Sequence, residues 1–178
     1  TTEFVICERI KGSGFQTTLV GTSDDIAAGQ LVDRLGVLMG LPFPAGPTME
    51  KLARKTKYQT DSVLPIAVQG ATISFGGPYS AGQRWWESLH HSIIDWTNPS
   101  ALQDEVEAQT LASSVFHCIG DSLEKALTYI LKHHSLTTLV TAGGVMANTY
   151  LQKRLVHWGH HHNLDVLCVS PKYSADNA

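Results

Sequence analysis

The stretch LVTAGGVMANTYLQKRL, residues 139–155, constrains this chain more than any other. An apolar run stops at Ala142, passes through Gly143 and Gly144, and restarts as a helical pattern beside Asn148. A second apolar run follows at 164–169. Strand 137–142, helix 148–162 and strand 164–169 make a βαβ unit of ordinary length, which sets its two strands parallel. Ligands of open α/β sheets bind outside the carboxyl ends of the strands. Two loops share that edge here, AGGVMAN after the first strand and SPKYSADN after the second. Gly-Gly lets a ligand approach the backbone, and the next helix N-terminus favours a negative group. A plainer reading makes Asn148 an N-cap and Gly-Gly a tight turn. Spacing alone favours the plainer one.

The rest of the pattern fits an α/β protein, a mixed sheet begun by an antiparallel hairpin with helices packed on it. EFVICERI and GFQTTLVGT read as strands joined by KGSG. Residues 23–40 read as a helix that Thr22 or Ser23 can cap, with Asp24 and Asp25 at the positive end of its dipole. Gly40 can end it. LPFPAGP, 41–47, reads as a loop, MEKLARK as a short helix, and 64–77 as a hairpin turning at Gln69-Gly70. A long helix is expected from about Leu102 to His133, with Val115, Ile119, Leu123, Ala126 and Ile130 on its core face.

The first helix carries two stripes. Ala28, Val32, Leu35 and Met39 form an apolar one. Gly29, Asp33, Gly36 and Gly40 form another, and interior glycines cost about 1 kcal/mol each relative to Ala. Either a ligand lies on this bare face, with Asp33 accepting hydrogen bonds from its hydroxyls, or the face packs closely against another helix with Asp33 at a solvated edge. The residues alone leave the two level.

With 178 residues the chain can bury one sizeable core. Its net charge of −3 gives no general attraction to nucleic acid or membrane. The three cysteines, Cys7, Cys118 and Cys168, are scattered, which fits a reducing, cytoplasmic compartment. No apolar run has the length of a membrane span. The chain lacks an initiator Met and stops on SADNA, so a fragment cut at both ends is expected.

Three stretches carry a family resemblance: DIAAGQLVDRLGVLMGLPFPAGP (25–47), LVTAGGVMANTYLQKRL (139–155) and SPKYSADNA (170–178). They resemble, in order, the C-terminal lobe of the TsaD/Gcp family, the tRNA threonylcarbamoyladenosine synthase subunit once labelled a glycoprotease. Two spacings agree with the family: thirteen residues from Asp33 to Gly46, and twenty-eight from Asn148 to Asp176. The resemblance implies an actin-like, RNase H-like ATPase fold, of which residues 1–178 would be a single lobe. It implies that Asp33 and Gly46 hold the ribose of ATP or of the threonylcarbamoyl-adenylate, with Gly143, Gly144 and Asn148 at the same nucleotide. It implies that Asp176 is one ligand of a divalent metal, iron or zinc. The reaction implied is transfer of a threonylcarbamoyl group to the adenosine next to the tRNA anticodon, with tRNA and either partner subunits or a homodimer as partners.

The departures bear on activity. The family's two metal-binding histidines belong to an N-terminal lobe absent here, and its Ser-Gly-Gly phosphate loop should end just before Thr1. Gln30 stands where bacterial members carry an acid. SFGGPYSAG (74–82) replaces a Ser-Phe-Ser-Gly-Leu-Lys-like stretch, and segment 78–100, with Trp85, Trp86 and Trp96, diverges. This chain alone is therefore expected to be inactive and to bind metal weakly or not at all. The alternative reading is a non-catalytic paralogue that binds nucleotide or a partner. HWGHHH, 157–162, holds four histidines able to bind transition metals. At a helix end such imidazoles are usually solvated, and that reading is preferred. His90-His91 and His133-His134 are adjacent pairs whose members diverge on a helix, so no site is read there.

Overall fold

The computed structural model describes residues 1–12, 14–58, 61–89 and 106–170. Strands β1 (Glu3–Ile10) and β2 (Gly14–Thr22) form the expected antiparallel hairpin. Helix α1 (Ala28–Leu38) starts at Ala28 rather than at Ser23. The reason is Asp25, whose carboxylate is used elsewhere. It accepts from Ser74 Oγ (2.6 Å), Phe75 N (2.9 Å) and Gly76 N (2.9 Å), besides Ile26 N (2.6 Å). The start of α1 is held instead by Gln30 Oε1, which accepts from Ala27 N at 2.9 Å, and by Thr2 Oγ1, which accepts from Ala28 N at 3.0 Å. The first of these is the reach-back half of a capping box. An amide therefore does the capping work of an acid at position 30.

Helix α2 (Gly46–Lys55) begins earlier than the MEKLARK pattern, with Pro47 in its first turn, where the missing N–H costs nothing. Gly46 is thus the first residue of a helix and not part of a loop. Strands β3 (Ala67–Gln69) and β4 (Thr72–Ser74) pair antiparallel across Gly70, whose φ of +63° suits glycine. Helix α3 (Gly76–Leu89) is an element the sequence pattern did not announce. Gly-Gly-Pro reads as a turn, yet Asp25 supplies the carboxylate that the first N–H groups need. Helix α4 (Val106–His133) is about 42 Å long at 1.5 Å per residue. All five residues assigned to its core face are buried. Strand β5 (Thr138–Thr141), helix α5 (Thr149–His161) and strand β6 (Asp165–Cys168) complete the chain. β5 and β6 are parallel neighbours, registered from Thr138 with Asp165 to Thr141 with Cys168, as the βαβ reading requires.

The expectation of one mixed sheet is corrected. Among the described residues the six strands form three separate pairs, β1–β2, β3–β4 and β5–β6. A register shift at Phe4/Val5 marks a bulge, which bends and twists a strand. Beyond it only a single bridge, Ser23 with Ile73, ties the first ribbon to the second. The helices carry the core. The apolar stripe of α1, with Met49 and Leu52 from α2 and Leu111, Ile119 and Ala126 from α4, is almost fully buried with Ile73, Phe75 and Trp86. Arg154 then fastens α5 to α4. It pairs with Asp121 and donates to both Glu124 oxygens, from Nε at 2.5 Å and from Nη2 at 2.8 Å. Gly120 leaves room for that guanidinium; a methyl there would press on it. Burial lowers the Arg154 pKa, but Glu124 and Asp121 outweigh it and hold the charge firmly in place.

Among the described residues no helix is long and apolar enough to cross a membrane. Trp96 and the His90-His91 pair lie outside the described residues.

Candidate functional site

The carboxyl end of β5 opens into a cleft of about 940 Å³. Its walls come from the start of α1, the 44–50 segment around the start of α2, and the 141–148 segment between β5 and α5. Asp33, Gly46, Gly143, Gly144 and Asn148, five of the six residues singled out in the sequence, all line it. The sixth, Asp176, lies outside the described residues. So does most of the SPKYSADN loop.

Each lining residue has a local reason to be there. Gly143 has φ +104°, a region L side chains avoid, and nothing lies within 4 Å of the place its Cβ would take. Gly144 opens a 3-10 turn, 144–147, that delivers the chain to α5. Asn148 caps α5, its side-chain oxygen accepting from Leu151 N at 3.0 Å. The plainer reading of Asn148 as a cap therefore holds. It leaves the amide nitrogen over. That nitrogen is buried, and it lies close enough to the Tyr58 hydroxyl to affect its acidity, but among the described residues neither group completes a hydrogen bond. The Thr141 hydroxyl, on the same wall, is also buried and unpaired among the described residues. Buried polar groups without partners are uncommon and call for water or a ligand.

The glycine stripe of α1 divides between its two readings. At Gly36 close packing wins, since a methyl would run into the Ala45 side chain and crowd Met49. Gly40 lies beyond the helix, at φ +83°. Gly29 and Asp33 border the cleft. Asp33 is half-buried, and its Oδ1 accepts from Ala45 N at 2.8 Å, tying α1 to the start of α2. Its Oδ2 makes no hydrogen bond among the described residues and remains available as an acceptor.

Glu50 was missed by sequence reasoning. Its Oε1 accepts from Arg54 (2.6 Å) and from the Thr149 hydroxyl (3.1 Å), joining α2 to the start of α5 at the cleft edge. The sole sequence signal was an i,i+4 Glu–Arg pair, which is common on solvated helices. Behind it Tyr58 and Tyr150 stack 4.1 Å apart with planes within 7°. His117 Nε2 donates to the Tyr58 carbonyl at 2.6 Å, which leaves Nδ1 to accept from the Tyr150 hydroxyl at 3.1 Å. Burial pushes the Tyr150 phenol up, although Arg154 draws it down.

The electrostatics of the cleft are mixed in a useful way. The N-termini of α1, α2 and α5 all border it, and a helix N-terminus carries partial positive charge. Glu3, Asp33 and Glu50 line it, whereas no Lys or Arg does among the described residues. Carboxylates suit hydroxyl donors, and helix N-termini suit anionic oxygens. Among the described residues no cluster of three His, Cys, Asp or Glu could hold a metal ion.

The cleft lies at the carboxyl end of parallel strands, bordered by helix N-termini and carboxylates, the place where open α/β proteins bind ligands. Comparison with known proteins narrows the class. The chain belongs to the TsaD family, described as tRNA N6-adenosine threonylcarbamoyltransferase, whose profile matches residues 8–178. It is 30% identical over 161 residues to the tRNA N6-adenosine threonylcarbamoyltransferase of Carboxydothermus hydrogenoformans, a match covering 90% of this chain and 44% of that protein. The enzyme of the same name from Mycoplasma capricolum is 30% identical over 162 residues, covering 90% and 48%. That of Gluconobacter oxydans is 29% identical over 181 residues, covering 97% and 46%. The chain spans just under half the length of these relatives.

Proposed function

We propose that this chain is the nucleotide-holding, actin-like C-terminal lobe of a tRNA N6-adenosine threonylcarbamoyltransferase, and that its cleft receives ATP or threonylcarbamoyl-adenylate. The observation that carries this reading is the convergence of Asp33, Gly46, Gly143, Gly144 and Asn148 on one cleft. The names borne by the relatives favour the transferase over a non-catalytic paralogue.

In this reading the Asp33 carboxylate accepts from ribose hydroxyls while Ala45 N–H holds it in position. Gly46, Gly143 and Gly144 offer bare backbone to a flat or bulky ligand. Asn148, held by its cap on Leu151 N, fixes the turn that borders the ligand. In the transfer, the N6 amine of the tRNA adenosine forms a bond to the carbamoyl carbon, the bond from that carbon to the adenylate oxygen breaks, releasing AMP, and the proton lost from N6 passes to solvent. The family's divalent metal, iron or zinc, would supply Lewis-acid polarisation of the carbamoyl-adenylate. Asp176 is proposed as one of its ligands. One carboxylate does not make a tight site, since such sites take three or four protein ligands. The remaining ligands would come from the part of the longer relatives that this chain does not span.

The test is calorimetric titration of ATP into the wild-type and Asp33→Ala proteins. A hydrogen bond to a charged group contributes about 1.5–3 kcal/mol, so affinity should fall by about tenfold to a hundredfold. Unchanged affinity in a well-folded Asp33→Ala protein removes the residue from the site. Transfer activity is assayed on the full-length protein with tRNA, threonine, bicarbonate, ATP and the partner proteins.

A further inference from the structure

The last turns of α5 hold a second arrangement of polar groups, far from the cleft. His157 and His161 stand one helical turn apart, both exposed, with Nε2 facing Nε2 at 3.0 Å. Their ring centroids are 4.4 Å apart and their planes are at 84°. The other two histidines of the run are differently engaged. His162 Nδ1 bonds the Trp158 carbonyl at 2.7 Å, and its ring stacks on Trp158. The His160 ring lies 6.0 Å from that of His161.

We infer that His157 and His161 form a two-imidazole chelate for a divalent first-row transition-metal ion of the copper, nickel or zinc type. A metal at 2.0–2.1 Å from two nitrogens holds them about 2.9 Å apart at a right angle and about 3.4 Å apart at the tetrahedral angle. The observed 3.0 Å falls inside that interval. A tilt of each ring turns both Nε2 lone pairs onto the ion. Each ring binds as the neutral tautomer with its proton on Nδ1, which leaves both Nε2 lone pairs for the ion. The C-terminal end of a helix carries partial negative charge and favours a cation. The turn that presents the pair is rigid. Leu155, Trp158 and Gly159 in the same turns are buried, and Gly159 sits so close to Val166 of β6 that a side chain there would collide. A pair held by packing binds with less ordering than one on a loop.

Two protein ligands leave the other positions to water. Affinity should therefore follow the intrinsic order of the ions, with Cu²⁺ tightest. The pair is roughly 13 Å or more along the helix axis from Asn148, so it is separate from the cleft that Asn148 lines.

The experiment uses the full chain without an affinity tag. Cu²⁺ is titrated at pH 7.5 by calorimetry, and the bound ion is examined by electron paramagnetic resonance. One equivalent with hyperfine coupling to two nitrogens is expected. Affinity should fall at least about tenfold in His157→Ala and again in His161→Ala, because losing either ligand abolishes the chelate. It should change less than about threefold in His160→Ala and His162→Ala. A loss in His160→Ala or His162→Ala as large as that in His161→Ala would overturn the assignment. So would binding that survives in the His157→Ala/His161→Ala double variant. His157, His160 and His161 are exposed on α5 and His162 is its exposed C-cap, positions where alanine is well tolerated, so circular dichroism should show folded proteins throughout.

Discussion

The starts of α5 and α3 solve one physical problem in two ways. Every helix leaves its first N–H groups without intrahelical partners. At α5 the answer is local, since Asn148 caps Leu151 N three residues on. At α3 it is remote. Phe75 and Gly76 donate to Asp25, about fifty residues upstream in the chain. The local cap is legible to anyone reading the sequence. The remote one makes a helix begin at Gly-Gly-Pro, which by itself spells a turn. Each device also spends a residue that had another apparent use. Asp25 looked like a charge for α1, and Asn148 looked like a ligand group or a cap and is now seen capping with one end only.

The remote device should matter more to stability, and the largest effect expected is that of Asp25→Ala. It removes four hydrogen bonds at once and frees the link between α1, β4 and α3. A loss of about 2 kcal/mol, the upper end for a cap, should appear in urea unfolding. If the loss is no larger than that of an ordinary surface change, the contrast with α5 is void. Acid sharpens the same point. Burial raises the Asp25 pKa, but the hydrogen bonds from Ser74, Ile26, Phe75 and Gly76 outweigh it and hold it at about 2, below the usual 3.8. A depressed native pKa contributes stability that is present above pH 3.8 and is lost as pH falls through about 2. The stability gap between wild type and Asp25→Asn should therefore shrink between about pH 4 and pH 2 and stay constant above. A gap that does not change over that window would remove the carboxylate's charge from the account.

Asn148→Ala should cost less, about 1 kcal/mol, the usual value of one N-cap. Asn148→Asp keeps the accepting oxygen and replaces the buried amide donor. It should retain the cap but weaken ATP binding if that donor serves the ligand. Equal ATP affinity in Asn148→Asp would leave Asn148 a cap alone. The smallest effect expected is that of Thr2→Val, about 0.5 kcal/mol, the low end for one capping bond. It removes the hydroxyl that accepts from Ala28 N while Gln30 still holds Ala27 N. A thermal melt of Thr2→Val in the Gln30→Ala background should show more than the sum of the two, because together they strip the start of α1.

Much of the cleft could be read in advance because its parts are short-range. Gly143, Gly144 and Asn148 fall within one turn of chain, and the strand before them ends where its apolar run ends. Asp33 was harder. Its stripe was open to packing or to ligand, and the fold assigned part to each, with Gly36 against Ala45 and Gly29 at the cleft. Glu50 could not be read at all, because its partner Thr149 is ninety-nine residues away. The single mixed sheet failed for a similar reason. Pairing between ribbons is a long-range matter, and among the described residues the bulge at Phe4/Val5 with the lone Ser23–Ile73 bridge leaves three pairs.

What the chain's own letters determined is whatever depends on neighbours within a turn or two: the core face of α4, the apolar stripe of α1, the parallel β5–β6 pair, the Gly70 turn and the cap at Asn148. These follow from period, propensity and backbone freedom, which are local properties. Only the tertiary structure decided that Asp25 serves α3, that Gln30 and Thr2 start α1, that Glu50 meets Thr149, and that Asp33 and Asn148 border one cleft. Those outcomes rest on which unsatisfied N–H or carboxylate meets which partner once α1, α2 and α5 have packed on α4. A buried polar group takes the partner that packing brings within reach, and distance along the chain has no bearing on that choice.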